Sequence, residues 1–110
     1  MALDHLAPGE VADIRPFGAR IREAVSSALF KSPELEVMRL VLHAGQAIPP
    51  HAAPGDMTVQ CLEGTAALRI RERTLNLPSG HLARLARGTA YDIRADTDCS
   101  LLVTIAMPPD

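Results

Sequence analysis

The stretch GQAIPPHAAPGDMTVQCLEG, residues 45–64, decides how this chain is read. Between its two end glycines it carries one histidine, His51, preceded by Ile48-Pro49-Pro50 and followed by the turn-forming run Ala52-Ala53-Pro54-Gly55-Asp56. That context places His51 at the entrance of a strand rather than inside a regular ladder, because Pro and Gly-Asp favour turns. Met57 then opens an apolar run over 57–63, and Glu63-Gly64 reads as a hairpin corner.

Outward from this segment, short runs rich in Val, Leu, Ile and Thr alternate with Pro, Gly, Asp and Asn, the spacing of an all-β sandwich or barrel. Candidate strands cover 26–31, 35–43, 57–63, 65–71, 73–77, 81–86, 89–94 and 99–106. Ser32-Pro33-Glu34 makes the first turn, Arg71-Glu72 a second hairpin corner, Pro78-Ser79-Gly80 a loop, and Asp96-Thr97-Asp98 separates the last two strands. Leu68 and Ile70 alternate with Arg69 and Arg71, and Leu75 and Leu77 flank Asn76, the period of a strand with one wet face. The last strand differs. Leu101-Leu102-Val103-Thr104-Ile105-Ala106 is apolar on both faces apart from Thr104, so it must be covered on both sides, by its own barrel or by a second subunit.

Two separated segments resemble the paired motifs of the cupin superfamily. The first has glycine, then His-x-His, a glutamate and a closing glycine; here Gly45, His51 and Gly64 match, while Ala53 stands at the second histidine and Met57 at the glutamate. In the second, Gly80 and Gly88 match the family glycines, and Ala86, Tyr91 and Ala95 replace its proline, histidine and asparagine. The resemblance spans roughly residues 35–106. It implies an all-β, double-stranded β-helix (jelly-roll) barrel, with residues 1–24 as an N-terminal arm, 25–107 as the barrel and 108–110 as a tail. It also implies a homodimer. Within the arm, 19–25 is a brief, uncapped stretch with some helical character, and packing of the arm on the barrel is the expectation.

Size and composition agree with one domain. A chain of 110 residues holds one core, and 47% hydrophobic residues with only 3% aromatic means a core of aliphatic side chains and Met. A formal net charge of −2 gives no electrostatic reason for nucleic acid or an anionic membrane as partner. No apolar run approaches the ~20 residues of a membrane helix, and no secretory pattern opens the chain, so a cytoplasmic protein is expected. Cys61 and Cys99 lack metal-ligand spacing and read as two reduced core thiols.

Of the four family ligand positions only His51 keeps a metal donor. Catalytic zinc uses three protein ligands and non-haem iron commonly two histidines and a carboxylate, and the Met57 thioether is a soft substitute for a carboxylate. The expectation is a site with no metal and no cofactor, in which His51, Met57 and Tyr91 line a mostly apolar pocket for a small organic molecule. His51 has a second reading, as a histidine satisfied by loop backbone, and the pocket has one too, as a barrel simply filled by its core. A register shift that turned Asp56 inward would offer a rebuilt His51, Asp56, Tyr91 site. His43 and His81 read as solvated or structural, and Arg39 and Gln60 as pointing to solvent, since an unpaired buried charge is prohibitive. The family's chemistry implies two alternatives to small-molecule binding: a metal-dependent oxygenase or isomerase with rearranged ligands, and a structural or sensory interaction module. Hydrolase and nucleotide-binding motifs are absent from the sequence.

Overall fold

The computed structural model describes residues 6–108, so His5 and the tail beyond Pro108 lie outside it. Among the described residues nine strands form two antiparallel sheets: β1 (Ser27–Lys31), β2 (Leu35–Leu42), β3 (Ala47–Ala52), β4 (Met57–Glu63), β5 (Thr65–Ile70), β6 (Arg73–Pro78), β7 (Leu82–Leu85), β8 (Ala90–Ala95) and β9 (Cys99–Ala106). The five-stranded sheet runs β1-β2-β9-β4-β7 and the four-stranded sheet β3-β8-β5-β6. Their inner faces pack together as the jelly-roll sandwich that the spacing of short strands predicts. Among the described residues no helix is long and apolar enough to cross a membrane.

Eight strands fall where the sequence places them, and the ninth, β3, corrects the reading of His51. Pro49 and Pro50 argue against a strand, yet the chain pairs with β8 at Ala47, Ile48, His51 and Ala52. A register shift between Ile48 and His51 accommodates the two prolines, and β3 is an edge strand, so the donors proline lacks are not needed by a neighbour. His51 therefore sits in the ladder, opposite Tyr91. The closing glycine of the same segment also has a physical reason: Gly64 has φ +78°, and a Cβ there would overlap the Asp98 carbonyl oxygen.

Alternation along β9 points Cys99, Leu101, Val103 and Ile105 into the core, where Val59 and Leu68 are also fully buried. The interior between the sheets is thus filled by side chains, the second of the two readings of the barrel. On the outer face of β9, Ser100 is fully buried while Leu102 is half-buried.

Ser100 bonds to Arg39 and Glu63, on which the N-terminal segment packs, and this corrects the expectation that Arg39 faces solvent. Arg39 is only 5% exposed. Its guanidinium donates to the Arg15 carbonyl at 2.8 Å and the Ser100 hydroxyl at 3.1 Å, lies 3.4 Å from Glu63 Oε2, and stacks 3.9 Å from the Phe17 ring centroid. Nε of Arg39 is buried without a hydrogen-bond partner among the described residues, so the aromatic face supplies part of its compensation. Glu63 receives the Phe17 N–H at 2.8 Å, the Gly18 N–H at 3.1 Å and the Ser100 hydroxyl at 2.9 Å. These two amides open a 3-10 helix over Gly18–Glu23, and the carboxylate satisfies donors that a helix start leaves free. The arm packs on the barrel as expected, and its helical stretch forms as this short 3-10 turn because Glu63, 40 residues and more along the chain, supplies the cap that the local sequence lacks.

Two outcomes follow from this clamp. Arg39→Ala strands a mostly buried carboxylate and should lower stability by about 3 kcal/mol in urea unfolding, with trypsin cleavage after Arg20 and Arg22 rising in parallel; an unchanged midpoint and cleavage pattern would refute the clamp. Burial alone would raise the Glu63 carboxyl, but the Phe17 N–H, Ser100 hydroxyl, Gly18 N–H and Arg39 outweigh it and hold it below its ordinary value of 4.5. A depressed folded-state value contributes stability that is present above the ordinary value and lost as pH falls through the folded one. Melting temperature should therefore fall more steeply on acidification below about pH 4.5 in the native chain than in Glu63→Gln.

Candidate functional site

At the end of the sandwich where β3 meets β8, His51 and Tyr91 face each other across one register pair. The Tyr91 hydroxyl lies 2.7 Å from His51 Nε2, and the rings are 4.6 Å apart at a tilt of 56°. His51 Nδ1 lies 3.0 Å from the Pro49 carbonyl oxygen, which can only accept. Nδ1 therefore carries a proton toward Pro49, and in the neutral tautomer this leaves Nε2 as the acceptor of the Tyr91 hydroxyl. Burial raises the Tyr91 phenol above its ordinary value, so it keeps that proton. Backbone does meet Nδ1, but it is that of Pro49 within β3 rather than of a loop, and Tyr91 takes Nε2.

The other two family ligand positions lie close by in the fold. Ala53 and Met57 are each 2% exposed and belong to the same core cluster as Tyr91. Met57, paired with Leu85 and Ile105, is sealed among apolar side chains rather than lining an open cavity. Ala53 is held by hydrogen bonds with Thr89 and Gly88 in the backbone.

A cation of the kind this fold family holds does not fit these residues. Both ring nitrogens of His51 are engaged, Ala53 offers no donor, and Met57 offers only a thioether. Asp56 does not turn inward: its carboxylate accepts the Arg87 N–H at 3.1 Å and lies 3.5 Å from Arg84. The rebuilt His51, Asp56, Tyr91 trio is therefore not assembled, and among the described residues no three His, Cys, Asp or Glu side chains converge.

The remaining candidates have structural roles. His43 sits 4.0 Å from Asp98, and His81 Nδ1 lies 3.1 Å from the Ser79 carbonyl. Gln60 is half-buried on the outer face of the five-stranded sheet, opposite Leu102. Cys61 and Cys99 are free and buried; burial, with Cys61 adding to it, pushes the Cys99 thiol up to about 11, so it is not a nucleophile at neutral pH. Sequence reading took Glu63 for a turn residue and missed its role beneath the arm. No local pattern announces that role, because its partners lie in the N-terminal segment, β2 and β9.

No protein-family model and no curated protein matches this sequence. Solved structures do match in fold. A conserved Streptococcus pyogenes protein of unknown function is 22% identical, with 100% of this chain and 98% of that one covered and a TM-score of 0.77. A cupin superfamily protein from Desulfitobacterium hafniense is 14% identical over 89% of this chain and 95% of that one, at a TM-score of 0.76. An RmlC-like cupin protein from Desulfovibrio desulfuricans is 26% identical over 78% and 83%, at a TM-score of 0.69.

Tyr91→Phe removes the donor to His51 while keeping the ring. It should cost about 1 kcal/mol, the net worth of one hydrogen bond, and move the His51 Nε2 nitrogen resonance while Nδ1 stays protonated. An unchanged resonance would show that the pair does not form in solution.

Proposed function

We propose that this chain is a small single-domain cupin and a metal-independent binding protein that takes a small organic molecule at the His51–Tyr91 end of the barrel, a reading supported by its likeness in fold to solved cupin structures. The carrying observation is the 2.7 Å bond between Tyr91 and His51, two family ligand positions that satisfy each other instead of a cation. Nε2 of His51 is an acceptor, so the matching ligand carries a hydroxyl or amide donor that replaces the phenol. The freed Tyr91 hydroxyl then donates to an acceptor on the same ligand. Because the interior is packed, admission requires Met57 to repack; its unbranched thioether is the core side chain best suited to that, and it becomes the apolar wall of the site. The proposal includes a cytoplasmic setting, consistent with two reduced thiols, and a homodimer through the outer face of the five-stranded sheet, where Val37 and Leu102 are half-buried.

A second reading, an interaction module with no small-molecule ligand, is favoured by the filled interior. The alternative of a metal-dependent oxygenase or isomerase finds no ligand set in the described residues.

Native mass spectrometry of untagged, chelator-free protein separates the three. The first reading gives a dimer mass above twice that of the 11.8 kDa chain by one organic adduct per chain, lost in His51→Ala. An unliganded mass, with no thermal shift from hydroxyl- or amide-bearing small molecules, supports the interaction module. Stoichiometric iron, manganese or zinc lost in His51→Ala would overturn both.

A further inference from the structure

The outer face of the four-stranded sheet holds a cleft of about 800 Å3, within the roughly 300–1,000 Å3 of small-molecule sites. Its floor is set by register. Ala47 of β3, Arg94 of β8 and Ala67 of β5 lie side by side in one cross-strand row, and Asp92 of β8, Arg69 of β5 and Thr74 of β6 in the next. In the second row the charges satisfy each other, with Arg69 2.8 Å from Asp92. In the first row the guanidinium stands between two side chains that end at Cβ, and among the described residues Arg94 takes part in no ion pair. A long cationic side chain on a central strand ordinarily meets a cross-strand partner. Here two alanines leave a trough beside it instead.

The walls come from the same irregularity that lets β3 pair at all. Pro49 and Pro50, within the register shift, rise along one side as a rigid apolar edge, while Gly45 and Asp96 close the far end. The cleft thus offers an apolar bed, one guanidinium free of its neighbours, and a carboxylate, Asp96, that disfavours anions at its own end. We propose that this cleft is a second binding site, distinct from the His51–Tyr91 end of the barrel, for a small organic carboxylate: the carboxylate pairs with the Arg94 fork, and the apolar body lies over Ala47, Ala67 and the two prolines. Guanidinium and carboxylate match in a planar, two-point geometry, which inorganic charge alone does not exploit with the apolar bed.

Titration of the full chain with benzoate, followed by amide chemical shifts, tests this. Benzoate should shift Ala47, Ala67 and Arg94. Arg94→Gln, a change at an exposed position, should weaken binding about tenfold or more, and Asp96→Asn should strengthen it. Benzyl alcohol, the same ring without charge, and inorganic phosphate, charge without the ring, should each bind more weakly than benzoate. The proposal is overturned if either control binds as well as benzoate, if Arg94→Gln leaves affinity unchanged, or if the shifts gather at His51 and Tyr91. That last pattern would leave the barrel-end reading standing while removing this one.

Discussion

The register of β8 between β3 and β5 is the constraint on which the chemistry of this protein depends. Along it, Tyr91, Ile93 and Ala95 enter the core, while Asp92 and Arg94 stand on the outer face. One strand therefore supplies the phenol that meets His51 and the guanidinium that lies in the outer cleft. A slip of one residue would exchange the two sets and bury two charges in an aliphatic interior. The pairing of Ile93 with both Ile48 and Leu68 opposes that slip, because it fixes three apolar side chains on the same inner face.

The His51–Tyr91 contact pairs an imidazole with a phenol at a place where a cation would need several further donors. An imidazole that binds a cation presents a lone pair and needs companions to share the charge. In this chain Ala53 and Met57 stand nearby instead of such companions, and Nε2 meets a buried phenol whose proton burial helps to retain. The result is a directional hydrogen-bonded pair between two facing strands.

The arm and barrel are joined by different physics. Arg39 and Glu63 are both largely removed from solvent, and each is tolerable only because the other elements complete its shell: Ser100 from β9, the carbonyl of Arg15, the amides of Phe17 and Gly18, and the Phe17 ring. A buried pair of this kind is weak evidence of net stabilisation, whereas removal of one partner is strongly destabilising. Here the two charges fix where the N-terminal segment lies, and so which part of the outer face of β9 is covered.

The chain of residues alone determined the class of fold. Short aliphatic runs, turn residues between them and the two-residue period of Leu68-Arg69-Ile70 and Leu75-Asn76-Leu77 suffice for an antiparallel sandwich, because alternation and turn chemistry are local properties. They also determined that Ala53 and Met57 stand where the resemblance would put a histidine and a glutamate, with His51 the one imidazole retained, since that is a matter of residue type. The tertiary structure decided the rest. Only pairing with β8 reveals that a segment holding Pro49 and Pro50 is a strand, because the bulge that tolerates them exists in the ladder and not in the sequence. Only packing decides that Arg39 is buried, that Glu63 caps a helix far upstream, that Met57 closes the interior, and that Arg94 stands between two alanines. Each of these rests on neighbours distant along the chain, and a linear pattern carries no information about which distant residue will supply the missing partner.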